Sequence, residues 1–137
     1  MAVFRDGVIT AGTSGSHKDG SVHVNSYVTT SDATATVLFS VPLAQLEGVV
    51  IEGKVAGFKS DLTAGIFRHI ACGFRRASGG NVTSLGTAAG ADVEDSAGTP
   101  AVALFADTTN QLACIRVTGI SSETWKWEGH FTYTKVA

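Results

Sequence analysis

The chain has little proline, little cysteine and almost no net charge. Two of its 137 residues are proline and two are cysteine, and 10 Lys and Arg against 12 Asp and Glu leave a formal net charge of −2. Phosphate binding depends on clustered basic side chains, so this balance argues against a nucleic-acid partner. The apolar runs are short and broken by glycine or charge, so we expect no membrane-spanning segment. The first residues also lack the apolar stretch of a signal peptide, and we expect synthesis in the cytoplasm.

Neither cysteine lies in a motif that indicates chemistry. The sequence has no Cys-x-x-Cys pair, and no acidic or histidine side chain stands at ligand spacing beside either thiol. Cys72 and Cys114 lie in apolar stretches, which predicts two buried, reduced thiols that pack as small hydrophobic side chains. A disulfide would need the two Cα atoms within roughly 7 Å, and the sequence leaves that open.

No catalytic or metal-binding constellation is visible in the sequence. The histidines match no common ligand spacing, and those on predicted strands fall at outward positions, where a solvated histidine is the usual state. No serine lies in a Gly-x-Ser-x-Gly elbow, and the acidic residues of the predicted edge strand are expected to aid solubility. We therefore predict no enzyme activity, no cofactor and no metal. The residues weighed for these roles are His17, Asp19, His23, His69, His130, Asp92, Glu94 and Asp95.

What the sequence does have is a regular succession of strand signals. They recur at roughly ten-residue spacing, which is typical of a sandwich or barrel. The length suits one domain. We predict an all-β, antiparallel β-sandwich over residues 21–137, of about eight or nine strands, with jelly-roll-like or Ig-like topology. The predicted strands cover residues 21–28, 34–41, 49–58, 65–76, 82–87, 91–95, 101–106, 111–118 and 124–135.

Two pairs of neighbouring strands are predicted to be hairpins. Residues 65–76 and 82–87 flank a Ser-Gly-Gly-Asn turn, which is a strong turn signal. Residues 111–118 and 124–135 are separated by a short polar segment, and we expect them to form the closing hairpin of the domain.

The strand over residues 34–41 has an expected inward set and an expected end. Alternation places Val37, Phe39 and Val41 on the inward face. Pro42 ends the strand because proline cannot donate to a β-ladder. The segment 43–47 that follows is the only helical candidate in the chain.

The last predicted strand alternates between aromatic and polar side chains. A period of two is what a half-buried strand requires. The aromatic side chains share one face, which predicts a stripe in the core or in a subunit interface rather than a sugar-binding platform. The aromatic set is Trp125, Trp127, Phe131 and Tyr133, and the opposite set is Lys126, Glu128, His130 and Thr132.

Two stretches resemble a pattern seen in virion proteins of tailed bacteriophages. There, a strand ending in Arg is followed by a Gly-Gly turn and a Val-x-x-Leu/Val-Gly-Thr strand, as in residues 75–87. Residues 115–119 (Ile-Arg-Val-Thr-Gly) and 124–129 (Thr-Trp-Lys-Trp-Glu-Gly) look like the closing hairpin of the same domain. The resemblance covers about residues 48–135. It implies a β-sandwich of head-decoration proteins, head fibres or tail-fibre tips, commonly trimeric, and it transfers no catalytic residue.

The resemblance leaves three functions open. The first is a capsid decoration (cement) protein, a homotrimer that binds the major capsid protein on the outer surface of the head and stabilises it. The second is a fibre-tip or receptor-binding module that recognises a host surface glycan. The third is a cellular carbohydrate-binding or adhesion module unconnected with a virus.

Residues 1–20 are rich in glycine, serine and threonine and show no sustained period. We expect an extended, flexible N-terminal arm ahead of the sandwich, since such segments stay disordered unless something ties them down. Phe4, Val8 and Ile9 are its only apolar anchors. They would contact the capsid or a neighbouring subunit, or the arm would be a free tail.

Overall fold

The computed structural model describes residues 3–5, 8–10, 17–88, 92–95 and 99–137, and the side chains of residues 20–86 and 99–137. All the regular secondary structure in these ranges consists of β-strands. The described part has no helix long and apolar enough to cross a membrane. The strands are β1 (Val3–Arg5), β2 (Val8–Thr10), β3 (His17–Thr30), β4 (Thr36–Pro42), β5 (Glu47–Lys59), β6 (Gly65–Arg76), β7 (Val82–Ala88), β8 (Asp92–Asp95), β9 (Ala101–Asp107), β10 (Leu112–Thr118) and β11 (Trp125–Val136).

Two antiparallel sheets form a β-sandwich, which confirms the predicted fold class. The large sheet has the strand order β3–β11–β5–β6–β7, and β8 pairs with the first residues of β6. The small sheet has the order β4–β10–β9. β1 and β2 pair with each other in a separate two-stranded ladder.

The hydrophobic core lies between the inner faces of the two sheets. Ile51 and Val55 of β5 face Ile115 and Val117 of β10, and none of these four side chains has exposed surface. Each sits at an alternate position of its strand, so the period-two pattern delivers the apolar set to one side. Burial of one such aliphatic side chain is worth about 1.5–3 kcal/mol.

The aromatic stripe lies on β11, the second strand of the large sheet, between the edge strand β3 and β5. Trp125 and Trp127 are 0% and 2% exposed and Phe131 is also buried, while Tyr133 packs against the core from a half-buried position. The Phe131 ring stacks on Phe39 of the small sheet with centroids 4.7 Å apart. The stripe therefore joins the two sheets.

Two glycines of β5 make room for this stripe. Gly57 lies directly opposite Trp127, and Gly53 lies opposite Phe131. A Cβ atom at Gly57 would stand 2.5 Å from the Trp127 ring, and one at Gly53 would meet the Phe131 ring and the His130 carbonyl oxygen. The rings lie over the bare backbone, as in other aromatic–glycine cross-strand pairs.

The predicted closing hairpin is wrong, although the β6–β7 hairpin is confirmed. β10 pairs with β4 and β9 in the small sheet, whereas β11 pairs with β3 and β5 in the large sheet. Residues 119–124 therefore cross from one sheet to the other. The inner faces of β10 and β11 both point into the shared core, so the two strands belong to facing sheets and are not ladder partners.

The inward set predicted for β4 is wrong at one position. Val37 is 47% exposed, while the next two residues, Leu38 and Phe39, are both buried. Phe39 pairs with Ile115 and Val37 pairs with Arg116, so Leu38 is the extra residue of a β-bulge. A bulge shifts the alternation by one residue, and Leu38 takes the inward place expected for Val37.

The helical candidate at residues 43–47 is a turn. Leu46 has a φ of +64°, in the left-handed region, and its N–H donates to the Arg76 carbonyl at 2.8 Å. The Ala44 N–H donates to the Glu47 carboxylate at 2.8 Å. These two backbone donors of the short segment are thus satisfied without a helical turn.

The first sandwich strand starts earlier than predicted. β3 begins at His17, which pairs with Val136, and the register shifts by a bulge at residues 19–20. Gly20, at φ +59°, occupies this irregularity, which hides the strand period in the sequence. The apolar anchors of the predicted arm, Phe4, Val8 and Ile9, fall in β1 and β2. Their side chains lie outside the described residues, so their capsid or subunit contacts remain a prediction.

Candidate functional site

The outward-facing side of the large sheet, called here the outer face, carries polar side chains in rows that cross the strands. In the central row, residues from β3, β11, β5 and β6 are successive cross-strand partners. At the usual strand separation of ~4.8 Å, such a row spans ~14 Å. The central row is Asn25, His130, Lys54 and His69, and the adjacent row is His23, Thr132, Glu52 and Ala71.

These two rows line an open groove of about 830 Å³. Its size lies within the range of small-molecule sites, ~300–1,000 Å³. A smaller hollow of about 140 Å³ continues it toward Ala56, Phe67 and Glu128. The outer face therefore offers one concave surface that crosses four strands.

Hydrogen bonds hold several groove side chains in place. His23 Nδ1 and Thr132 Oγ1 share a hydrogen bond of 2.9 Å. Beyond them, the hydroxyls of Ser21 and Thr134 are 3.0 Å apart. His130 Nε2 lies 3.1 Å from the Glu128 carboxylate. Side chains ordered in this way lose less freedom when a ligand binds.

Lys54 is the exception, at the centre of the groove. Its exposed side chain makes no hydrogen bond or ion pair with the described part of the chain. His130 and His69 flank it on the two neighbouring strands, and Glu52 stands two residues away on the same face. The groove thus has an uncompensated cation at its centre and a carboxylate beside it.

Aromatic rings flank the central row on one side. Tyr27 is 69% exposed and belongs to the next row, which runs through Glu128 and Ala56 to Phe67. The Phe67 ring meets His69 edge-on, with centroids 4.8 Å apart. These rings add apolar surface to a polar groove.

The outward side of the small sheet, called here the small-sheet face, has a different character. Val37 and Phe105 are 47% and 36% exposed. The Arg116 guanidinium lies 3.8 Å above the centroid of the Phe105 ring, a cation–π geometry. Arg116 Nε is buried and has no hydrogen-bond partner among the described residues.

The structure separates the residues that were weighed for chemistry. It brings His23, His69 and His130 to one groove, while the side chains of His17, Asp19, Asp92, Glu94 and Asp95 lie outside the described set. Within that set, no group of three His, Cys, Asp or Glu side chains could hold a metal ion. The tryptophans lie on the opposite, buried side of the sheet.

Both cysteines are free and buried, as predicted. Cys72 belongs to the core, and burial raises its pKa to about 11. Cys114 lies on the outward side of β10, opposite Phe105 of β9. Burial also raises the pKa of its thiol. Neither is a poised nucleophile, because the thiolate is the reactive form.

Sequence reasoning missed the groove because it treated each outward histidine separately. The rows exist only through the order β3–β11–β5–β6, which joins residues more than 100 positions apart, as the His23–Thr132 hydrogen bond shows with its separation of 109. The available signal was that all three histidines fall at outward strand positions. Strand order was not available from the sequence.

Comparison of the chain with protein-family models, with curated proteins and with solved structures found no match. Function is therefore inferred from the two exposed faces of the sandwich and from the sequence resemblance described above.

Proposed function

We propose that the chain is a structural protein of a tailed-bacteriophage virion, a decoration protein that binds the assembled head and stabilises it. The observation that carries the proposal is the difference between the two faces of the sandwich. One face is polar and grooved, and the other exposes Val37 and Phe105 beside Arg116. A decoration protein needs one surface for the shell and another for solvent.

The small-sheet face is the proposed attachment surface. Aromatic and arginine side chains are enriched among the residues that dominate binding energy at protein interfaces. Phe105 and Arg116 are already stacked, so an interface built on this pair would lose less side-chain freedom on binding. Because the protein would bind only the assembled shell, mass action would stabilise the assembled state.

A homotrimer is part of the same proposal. Its support is the resemblance to virion proteins that are commonly trimeric. Size exclusion coupled to light scattering at micromolar concentration is expected to give three times the chain mass of 14.1 kDa. A chain that stays monomeric would contradict the trimer.

The attachment surface is tested by sedimentation with bare, expanded capsids. We expect the purified protein to co-sediment, and Phe105→Ser to weaken that association. Leu85→Ser is the matched control, since Leu85 is 64% exposed but belongs to β7 at the edge of the large sheet. Equal losses from both variants would contradict the small-sheet face as the attachment surface.

A second candidate is a receptor-binding module for a host surface glycan, and the outer-face groove favours it. The groove is large enough for a saccharide and is lined by polar side chains. Binding to a glycan array or to host cells would support this candidate, whereas a decoration protein is expected to bind neither.

A further inference from the structure

We infer that the outer-face groove binds a saccharide that carries a carboxylate, with Lys54 holding the carboxylate. The inference rests on the receptor-binding candidate and names its ligand class. It is independent of the small-sheet face.

The charge of the central row is the first argument. Lys54 has no ion-pair partner among the described residues, and His130 and His69 lie directly beside it. Asn25 follows His130 in the same row and adds an amide donor. An ammonium and an amide donor in one row are suited to a carboxylate, because hydrogen bonds to ionised groups are the stronger ones.

The acidic residues of the groove narrow the ligand class. Glu52 lies on the same face and the same strand as Lys54, and Glu128 lies against His130 at 3.1 Å. These carboxylates would repel a polyphosphate or nucleic acid. They can accept hydrogen bonds from sugar hydroxyls. A hydroxylated ring with a single carboxylate suits both kinds of group, because its carboxylate can pair with Lys54 and its hydroxyls can donate to the glutamates.

The aromatic flank supplies the remaining surface. Saccharide rings have apolar C–H faces, and ligand sites combine apolar and aromatic surface with a few polar groups. Tyr27 is 69% exposed on the row beside the central row. Phe67 lines the smaller hollow at the other end of that row. Lys54, His130 and Phe67 line that hollow together, so a sugar ring bound at Lys54 would have the Phe67 ring within reach.

The test uses two pairs of probes that differ in charge. They are 3′-sialyllactose against lactose, and galacturonate against galactose, and each acidic member carries one carboxylate. Amide chemical-shift mapping and calorimetry are expected to show binding of the acidic member of at least one pair, with shifts at β11, β5 and β6. The neutral partner is expected to bind about tenfold more weakly or worse, the usual effect of losing one hydrogen bond to a charged group.

Three variants connect this affinity to Lys54. Lys54→Met is expected to lower the affinity about tenfold or more, and Lys54→Arg to restore most of it. Lys126→Met is the matched control, because Lys126 is an exposed lysine of the same sheet face outside the groove. Equal effects of the two methionine variants would overturn the role of Lys54.

The outcomes separate this inference from the candidate on which it rests. If acidic and neutral probes bind equally well, the groove is a saccharide site and the carboxylate inference is wrong. If no probe binds and a glycan array also shows no binding, the carboxylate inference and the receptor-binding candidate are both wrong. The first result favours the receptor-binding candidate over the decoration protein, and the second leaves the decoration proposal standing.

Discussion

At the scale of single residues, one buried hydrogen bond fixes the aromatic stripe. Trp127 Nε1 donates to Thr30 Oγ1 at 3.0 Å, and Thr30 is itself buried. A buried indole N–H needs such a partner. The bond joins β11 to the end of the neighbouring strand β3 and sets the orientation of the ring over Gly57.

The first prediction concerns this tryptophan. Trp127→Ala is expected to lower the free energy of unfolding by about 3–5 kcal/mol, as large-to-small core changes do. Thr30→Val keeps the shape but leaves the indole N–H unpaired, and is expected to cost about 1–3 kcal/mol. Urea unfolding followed by circular dichroism measures both. A Trp127→Ala variant of unchanged stability that loses a ligand would show that Trp127 belongs to a binding surface.

The second prediction concerns the bare backbone under the same ring. Gly57→Ala places a Cβ 2.5 Å from Trp127, so the ring must shift, and overpacking of this kind costs about 1–3 kcal/mol. Gly48→Ala on the same strand is the control, because its nearest neighbour outside the local chain is the Phe74 carbonyl at 3.6 Å. Thermal unfolding measures both variants. Equal decreases in their melting temperatures would count against the close packing of Trp127 on β5.

The third prediction follows from the raised pKa of Cys72. Burial raises this pKa from 9.0 to about 11, so the folded state holds the proton more tightly than the unfolded chain does. The contribution of this proton to the free energy of unfolding is fully present below pH ~9 and is lost as the pH rises toward 11. Urea midpoints across this range should fall less for Cys72→Ala than for the parent chain. A thiol reagent should modify native Cys72 slowly near pH ~8, and fast modification would contradict its burial.

At the scale of elements, the end of the sandwich near the β6–β7 turn is fixed by one arginine. Arg76 Nε donates to the Gly80 carbonyl at 2.9 Å and its Nη1 donates to the Leu43 carbonyl at 3.0 Å. The side chain therefore joins the turn of the large sheet to the segment that follows β4 of the small sheet.

The fourth prediction compares this arginine with its neighbour. Arg76→Ala is expected to lower the free energy of unfolding by about 1–3 kcal/mol, since it leaves two carbonyls without their charged donor. Arg75→Ala is expected to stay within about 0.5 kcal/mol, because Arg75 is exposed. Denaturant unfolding of the pair checks the difference. Equal values would contradict the structural role of Arg76.

Most elements were predictable from the sequence, but two of their relations were not. The β6–β7 hairpin was predictable because a Gly-Gly turn separates two alternating runs. The path from β10 to β11 was not, because a period of two indicates which side chains are buried and not which strand lies alongside. The bulge at Leu38 was hidden for a related reason. Val37, Leu38 and Phe39 are all apolar, so the sequence does not show which of them is the extra residue.

At the scale of the whole molecule, the candidate site was less predictable than the fold. The outer-face groove is built from β3, β11, β5 and β6, which are neighbours only after folding. Its histidines looked like separate, solvated residues in the sequence. The small-sheet face depends on the Leu38 bulge, which turns Val37 outward beside Arg116.

The two faces assign different roles to the two sheets. The small sheet would attach the protein to a shell, and the large sheet would present its groove to the surroundings. When the free concentration of the protein is a hundred times its dissociation constant for the shell, binding would stabilise each site by about 2.7 kcal/mol. That gain is available only if the unassembled subunits bind more weakly.

The most direct test of the decoration proposal is the temperature at which heads release DNA. Bare, expanded, DNA-filled capsids are heated with increasing amounts of the purified protein, and the released DNA is followed with an intercalating dye. The release temperature is expected to rise with protein concentration and to level off once the shell is saturated, and the Phe105→Ser variant is expected to need more protein for the same rise. A release temperature that is unchanged at every concentration, with no protein on the sedimented heads, would show that the protein does not decorate the head.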